Sequence, residues 1–393
     1  MFNETVLSVQ VYTMMNEMLK KRLNTGFVIG VSILSIILWF LPTGFENPTL
    51  TKNKLFERAT VLEVDNSDLK AIGLVTAGSQ SLKLKVLSGP FEGDTVEAVN
   101  VLISQMSIDK IFKKDDKVLA VLAINPETQS IISARASEMY RSDIEFILFA
   151  IFALFLILFA KAIGFRALLS FVFTTLAIWK ILIPLFLQGY PALPVSFLIV
   201  ALATTVIIIL ITGFTRKGAV ALSGSITGVA LTTMLAIVFG YYFQVPGTVK
   251  DFSEMLLYSG FIHLNLTDIF LAGIFISASG AVMDVAMDIA ASQEEVIQKH
   301  PEISPSELIA SGFRVSYAVI GTMTTTLLFA YSGSFSFVLM VFMAQGTPME
   351  SIFNINFIAA EILKTLVGSF GLVLVAPATA MIGGYVYTFK YKK

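Results

Sequence analysis

Residues 266–291 read LTDIFLAGIFISASGAVMDVAMDIAA. The stretch is long and apolar enough to cross a bilayer, whose hydrocarbon core takes about 20 residues of helix, roughly 17–25. Its second half nevertheless carries two carboxylates, Asp284 and Asp288. Four residues apart, they share one helix face. Gly273, Ser277 and Ala281 continue that face upward, and Ser292 lies below it. Small residues in this register predict a helix packed closely against protein, with the acidic face turned away from lipid. A charged side chain at a helix centre costs about 2.5–3.5 kcal/mol to insert, so each acid needs a reason. Asp284 falls in the cytoplasmic half, about 8 Å from mid-membrane at about 1.5 Å per residue. Burial disfavours an ionised carboxylate and a nearby cation favours it, and a group held between the two can load and release a proton. The plainer alternative is a structural acid, hydrogen-bonded to hydroxyls of a neighbouring helix. Asp288, nearer the interface, is within reach of cytoplasmic Lys or Arg.

Composition places this stretch in a chain of its own kind. Of 393 residues, 55% are hydrophobic and 14% charged, with a mean hydropathy of +0.79; soluble domains run at about 45–50% apolar and about 25% charged. Seven further segments, 26–41, 144–160, 167–187, 193–214, 218–239, 315–331 and 366–389, qualify as membrane spans or come close. Eight crossings are expected. Residues 334–344 are apolar but short and follow Ser332-Gly333-Ser334, which predicts a re-entrant half helix. The first span follows Lys20-Lys21-Arg22 and lacks a small-residue cleavage pattern, so it reads as an uncleaved signal anchor. Placing residues 1–25 in the cytoplasm puts twelve Lys and Arg of the short segments inside, including the basic tail 390–393, and leaves Lys250 and Lys364 opposite. The layout is then an anchor at 26–41, an extracytoplasmic domain at 47–141 and a seven-helix membrane domain at 144–389.

The outside domain differs in texture. Short Val-, Ile- and Leu-rich runs at 56–64, 71–76, 81–87, 95–102, 117–124 and 130–134 are separated by turn signals such as Gly78-Ser79, Ser88-Gly89-Pro90 and Asn125-Pro126. Five or six strands in about 95 residues predict a small, closed, OB-like barrel. It holds no His and no aromatic pair set for base stacking. With a net charge of −1 and no basic patch, nucleic acid is not an expected partner.

Few residues are available for chemistry. There are no cysteines and two histidines, His263 and His300. Thiolate chemistry is excluded, and no metal site or cofactor is expected. Zincin, nucleophile-elbow, P-loop and dinucleotide motifs are all missing, so an enzyme is not expected. The candidate proton, ion or buried polar site comprises Asp284, Asp288, Ser277 and the hydroxyls of Thr324 and Thr325 within Gly321-Thr-Met-Thr-Thr-Thr326. Lys180, in the outer half of the third span, is an additional candidate, with snorkelling to the interface as its default reading. Gly224-x-x-x-Gly228 on the fifth span is a close-packing signature. Glu361 and Lys364, three apart, read as an interfacial ion pair.

Two resemblances follow from these residues. Gly280-Ala-Val-Met-Asp284-Val-Ala-Met-Asp288-Ile-Ala-Ala-Ser292 and residues 361–377, EILKTLVGSFGLVLVAP, resemble the YibE/F family of bacterial membrane proteins over roughly 145–390. That resemblance implies a multi-pass protein of the bacterial cell membrane, and as partner a related membrane protein encoded nearby. Gly280-x-x-x-Asp284, Glu294-Glu295, Ala310-Ser311-Gly312-Phe313 and Thr324-Thr325-Thr326-Leu327 are also similar in order and spacing to the fourth and fifth helices of RND permeases and SecD/SecF-type proteins. This implies that Asp284 sits on a proton-responsive helix, although the chain has an extra helix or two and a much smaller outside domain. Two functions compete: a permease or ion-coupled transport component using Asp284, or a non-transporting assembly subunit whose β domain binds a cell-envelope partner.

Overall fold

The computed structural model describes residues 2–46 and 53–389; the tail at 390–393 and the first six residues of the expected outside domain lie outside them. The chain forms two compact units, one of Met1–Thr43 with Ile157–Lys393 and the other of Gly44–Leu156.

The smaller unit is a barrel of β1 (Lys54–Asp65), β2 (Lys70–Ile72), β3 (Val75–Val86), β4 (Thr95–Ile103), β5 (Lys117–Ile124) and β6 (Ile131–Met139). The order β1-β5-β6-β4-β3 is closed by a β1–β3 pairing, and β2 extends β3 as a hairpin. Every pairing is antiparallel except β4 with β6, which meet only at Ala98–Ala134 and Val99–Arg135. This is the five-stranded Greek-key barrel expected of an OB-like chain. Alternation drives it: inward Ala59, Val61, Leu82, Leu84, Ala98, Val118, Ala120 and Leu122 are buried while their neighbours face out. Two polar residues lie inside. Gln80 Nε2 donates to the Phe112 carbonyl and its Oε1 accepts from Phe112 N–H and from Asn100 Nδ2, pinning the 104–116 loop across the barrel end. The strand expected at 71–76 is corrected: a turn with Gly73 at φ +61° splits it. Gly78, read as a turn, lies inside β3, where a Cβ would collide with the Asp68 carbonyl.

The larger unit is helical. Its elements are α1 (Phe2–Phe40), α2 (Ser142–Ala177), a π turn (Ile178–Leu182), α3 (Ile183–Leu187), α4 (Ala192–Thr212), α5 (Arg216–Phe243), a 3-10 turn (Gly247–Val249), α6 (Ser253–Tyr258), α7 (Leu266–Lys299), α8 (Pro305–Ala344), α9 (Met349–Asn354) and α10 (Asn356–Thr388), with the first part of α2 in the barrel's unit. Among the described residues, seven helical segments are long and apolar enough to cross a membrane. Two expectations change here. The spans at 144–160 and 167–187 follow one another within Ser142–Leu187 with only a kink between them, where the backbone at Lys161 is non-helical (φ 49°, ψ −123°). At about 1.5 Å per residue that stretch is long enough for two crossings of a 30 Å core. No loop intervenes because 162–167 holds no proline and one glycine. The half helix expected at 334–344 is the end of α8, a continuous 40-residue helix. Its Ser332-Gly333-Ser334 lowers helix propensity without breaking the hydrogen-bond ladder.

The core is built where small residues let helices approach. On α5, a Cβ at Gly228 would lie 2.7 Å from Val282 of α7 and from Val375 of α10, and one at Gly224 would overlap Thr379 of α10. Val282, Val285, Ala286 and Ile289 of α7 pack there with Val229 of α5 and with Leu372, Val375, Ala376 and Ala380 of α10. Helix starts are capped: Thr215 accepts from Gly218 N–H, Asn265 from Asp268 N–H, and Ser304 with Glu307 forms a capping box ahead of α8.

Candidate functional site

Helix α7 is two-faced. Residues 271, 274, 275, 278, 282, 285, 286, 289, 290 and 293 are buried among α5, α8 and α10. The other side presents Gly273, Ser277, Gly280, Asp284 and Asp288, all exposed. Successive steps of three or four residues keep them on one narrow stripe, about 22 Å from end to end at about 1.5 Å per residue. Turning the acidic face into the protein is therefore corrected: the deep β-branched and alanine face takes the core, and the acids point away from it. Among the described residues, neither Asp284 nor Asp288 has a hydrogen-bond or ion-pair partner.

The other predicted residues fall in separate places. Thr324 Oγ1 donates to the Ile320 carbonyl of its own helix at 2.9 Å, so its hydroxyl is spent locally. Thr325 is exposed on α8. Ser277 accepts a hydrogen bond from the Tyr331 hydroxyl at 3.1 Å. Lys180 donates to the carbonyl of Leu41 at 2.9 Å, just past the C-terminal end of α1. A cation at the carbonyl end of a helix is well placed, and the bond lies at an exposed position.

A second polar cluster was only half legible. Glu361 of α10, 4% exposed, forms an ion pair with Lys250, which follows the 3-10 turn. The expected Glu361–Lys364 pair is thereby corrected: Lys364 points its ammonium over the Tyr331 ring, 4.4 Å from the centroid. Glu361 Oε2 is buried without a hydrogen-bond partner. Lys250 and Lys364 also line a cavity of about 450 Å³ whose other walls are Leu256, Leu266, Ile269, Phe270 and Ile274, with Gly273 at the top of the α7 stripe. Sequence distance hid this cluster: Lys250 and Glu361 are 111 residues apart. The available signal was three ionisable residues set in largely apolar surroundings.

At the other end of α7, Gln293 is fully buried. Its Nε2 donates to the carbonyls of Leu308 (3.1 Å) and Ala380 (2.9 Å), tying α7 to α8 and α10. Tyr387 reinforces this by donating to the Ala290 carbonyl at 2.9 Å. No sequence pattern singled out Gln293, because a glutamine near a span end reads as interfacial.

The profile for YibE/F-like proteins matches residues 148–389, from α2 through the end of α10. The chain belongs to the YibE/F-like family. Membership and the seven apolar helical segments make this YibE/F-like protein a multi-pass membrane protein. The match covers the α7 stripe, the Glu361 cluster and the cavity, and it leaves out α1 and the barrel. No match was found among curated proteins or solved structures, so the similarity to RND permeases and SecD/SecF-type proteins gains nothing from them.

Proposed function

We propose that this YibE/F-like protein is an ion-coupled transport component of a bacterial cell membrane, with the α7 stripe as one wall of a proton-responsive path. One observation carries the reading: Asp284 and Asp288 stand on an exposed face of a membrane-length helix, with no ion-pair partner among the described residues. Such acids are too costly to leave against hydrocarbon, so the stripe faces water, substrate or a second membrane chain. The small residues above them suit a helix or a solute passing close by. The Lys and Arg distribution supports cytoplasmic termini and an extracytoplasmic barrel. The reading is not enzymatic and calls for no cofactor.

The test is Asp284→Asn in a deletion strain, scored for membrane abundance and for rescue of the deletion phenotype or of proton flux. We expect a variant as abundant as wild type with rescue lost. An abundant variant that rescues fully would remove Asp284 from the mechanism.

A specific observation favours a second reading, a non-transporting assembly subunit. On the outer face of β4, Val99, Val101 and Ile103 are exposed in a row, and apolar rows of this kind mark interaction surfaces. Under that reading, deleting residues 47–141 harms function more than Asp284→Asn, and a cell-envelope protein is the partner.

A further inference from the structure

The cavity beside Lys364 has the makings of a ligand site, independent of any role for Asp284. Its volume, about 450 Å³, is within the range of small-molecule pockets, about 300–1,000 Å³. Its walls are apolar: Leu256 of α6, Leu266, Ile269, Phe270 and Ile274 of α7. Its charges are unevenly satisfied. Lys250 is neutralised by Glu361 behind it. Asp251 also lines the cavity but is exposed, where solvent screens it. Lys364 is different: it is half-buried, and among the described residues it has no carboxylate in ion-pair range and no hydrogen-bond acceptor, so that Glu361, paired directly with Lys250, reaches it only through space. The Tyr331 ring attracts the ammonium but accepts none of its three N–H donors in the way an oxygen does.

We propose that this cavity binds an amphiphile with an anionic head, the head on the Lys364 ammonium and the apolar body against Phe270, Ile269 and Leu266. The chemistry selects the class: an ammonium with no direct ion-pair partner calls for one anionic group, and walls of Leu, Ile and Phe call for a hydrocarbon body. A fatty carboxylate and the phosphate of a lipid share this chemistry. A small hydrophilic anion does not, because it leaves the apolar walls uncovered.

The structure also supplies its own blocking variant. Gly273 lines the cavity and a Cβ there meets nothing within 4 Å, so Gly273→Leu has room to be accommodated and should crowd the cavity. The experiment uses the full chain in nonionic detergent and measures binding of oleate, oleyl alcohol, a lysophosphatidic acid and inorganic phosphate by native mass spectrometry. We expect oleate to bind wild type and Lys364→Arg alike. Lys364→Met should weaken it about tenfold or more, the scale of one lost charge-assisted hydrogen bond, and Gly273→Leu should weaken it at least as much by taking up the space of the apolar body. Oleyl alcohol should bind more weakly and ignore Lys364→Met. Tighter binding of the lysophosphatidic acid than of oleate assigns the head to a phosphate, and the reverse assigns it to a carboxylate. Oleate binding that is indifferent to both Gly273→Leu and Lys364→Met overturns the proposal, as does phosphate binding as tightly as either amphiphile. All variants are checked for unaltered unfolding temperature. Asp284→Asn should leave oleate binding unchanged, so failure here and failure of the transport reading are told apart.

Discussion

Single residues divide into those that hold the fold and those left with unmet chemistry. Asp65 is of the first kind. The Ser67 backbone N–H at 2.9 Å and the Ser67 hydroxyl donate to its carboxylate and hold its pKa below the ordinary 3.8. A depressed folded pKa means that the contribution to stability is complete above the unfolded value and fades as pH falls through the folded one. The β1–β2 turn should therefore keep its geometry at neutral pH and loosen only below about pH 4. A carboxyl carbon titration by NMR of the full chain should give a midpoint under 3.8, rising partway back in Ser67→Ala; a midpoint unmoved by Ser67→Ala would contradict this account. The bond to the Leu41 carbonyl gives Lys180 a structural reading as well. Lys180→Gln should lower stability by about 0.3–1 kcal/mol, the worth of a cation at a helix C-terminus, and leave function intact. Loss of function at full thermal stability would return Lys180 to the working site.

Elements are decided by glycine as much as by hydropathy. Gly228 is sealed between Val282 and Val375, whereas a Cβ on Gly30 of α1 meets nothing within 4 Å. Gly228→Leu should overpack the α5–α7–α10 junction at a cost of about 1–3 kcal/mol and lower the unfolding temperature in detergent. Gly30→Leu should be neutral or stabilising by up to about 1 kcal/mol, because leucine is the better helix former. Equal effects at the two positions would show that the junction relaxes freely. The close-packing signature at 224–228 was legible as spacing, but its partners on α7 and α10 were not. The break expected at 332–334 fails for the opposite reason. Ser332-Gly333-Ser334 weakens a helix by propensity, and propensity yields to a long apolar context.

For the whole molecule, the question is what lies against the α7 stripe. The chain has no cysteine, so one introduced cysteine reports cleanly. Gly280 has open space around it, and Gly280→Cys should fold as wild type. If a second membrane chain covers the stripe, oxidative or bifunctional cross-linking in native membranes should give a product larger than the monomer. A monomer that stays uncross-linked and reacts with lipid-soluble maleimide would show a stripe open to lipid or water, and the two-chain arrangement would fall.

Hydropathy and alternation read residue by residue were enough for the membrane class, the apolar segments, the β-rich insertion and the pair of acids on one face of α7. These follow from local periods, 3.6 for helices and 2 for strands, which need no knowledge of neighbours. Barrel closure through the β1–β3 pairing, the kink without a loop at Lys161, the continuity of α8 through 334, and the outward direction of Asp284 were decided by tertiary structure. So was the Lys250–Glu361 pair, which left Lys364 without a direct ion-pair partner among the described residues. The physical reason is the same in each case. A period tells which residues share a face, while the direction that face takes depends on which surfaces compete to be buried. On α7 the larger apolar face prevailed.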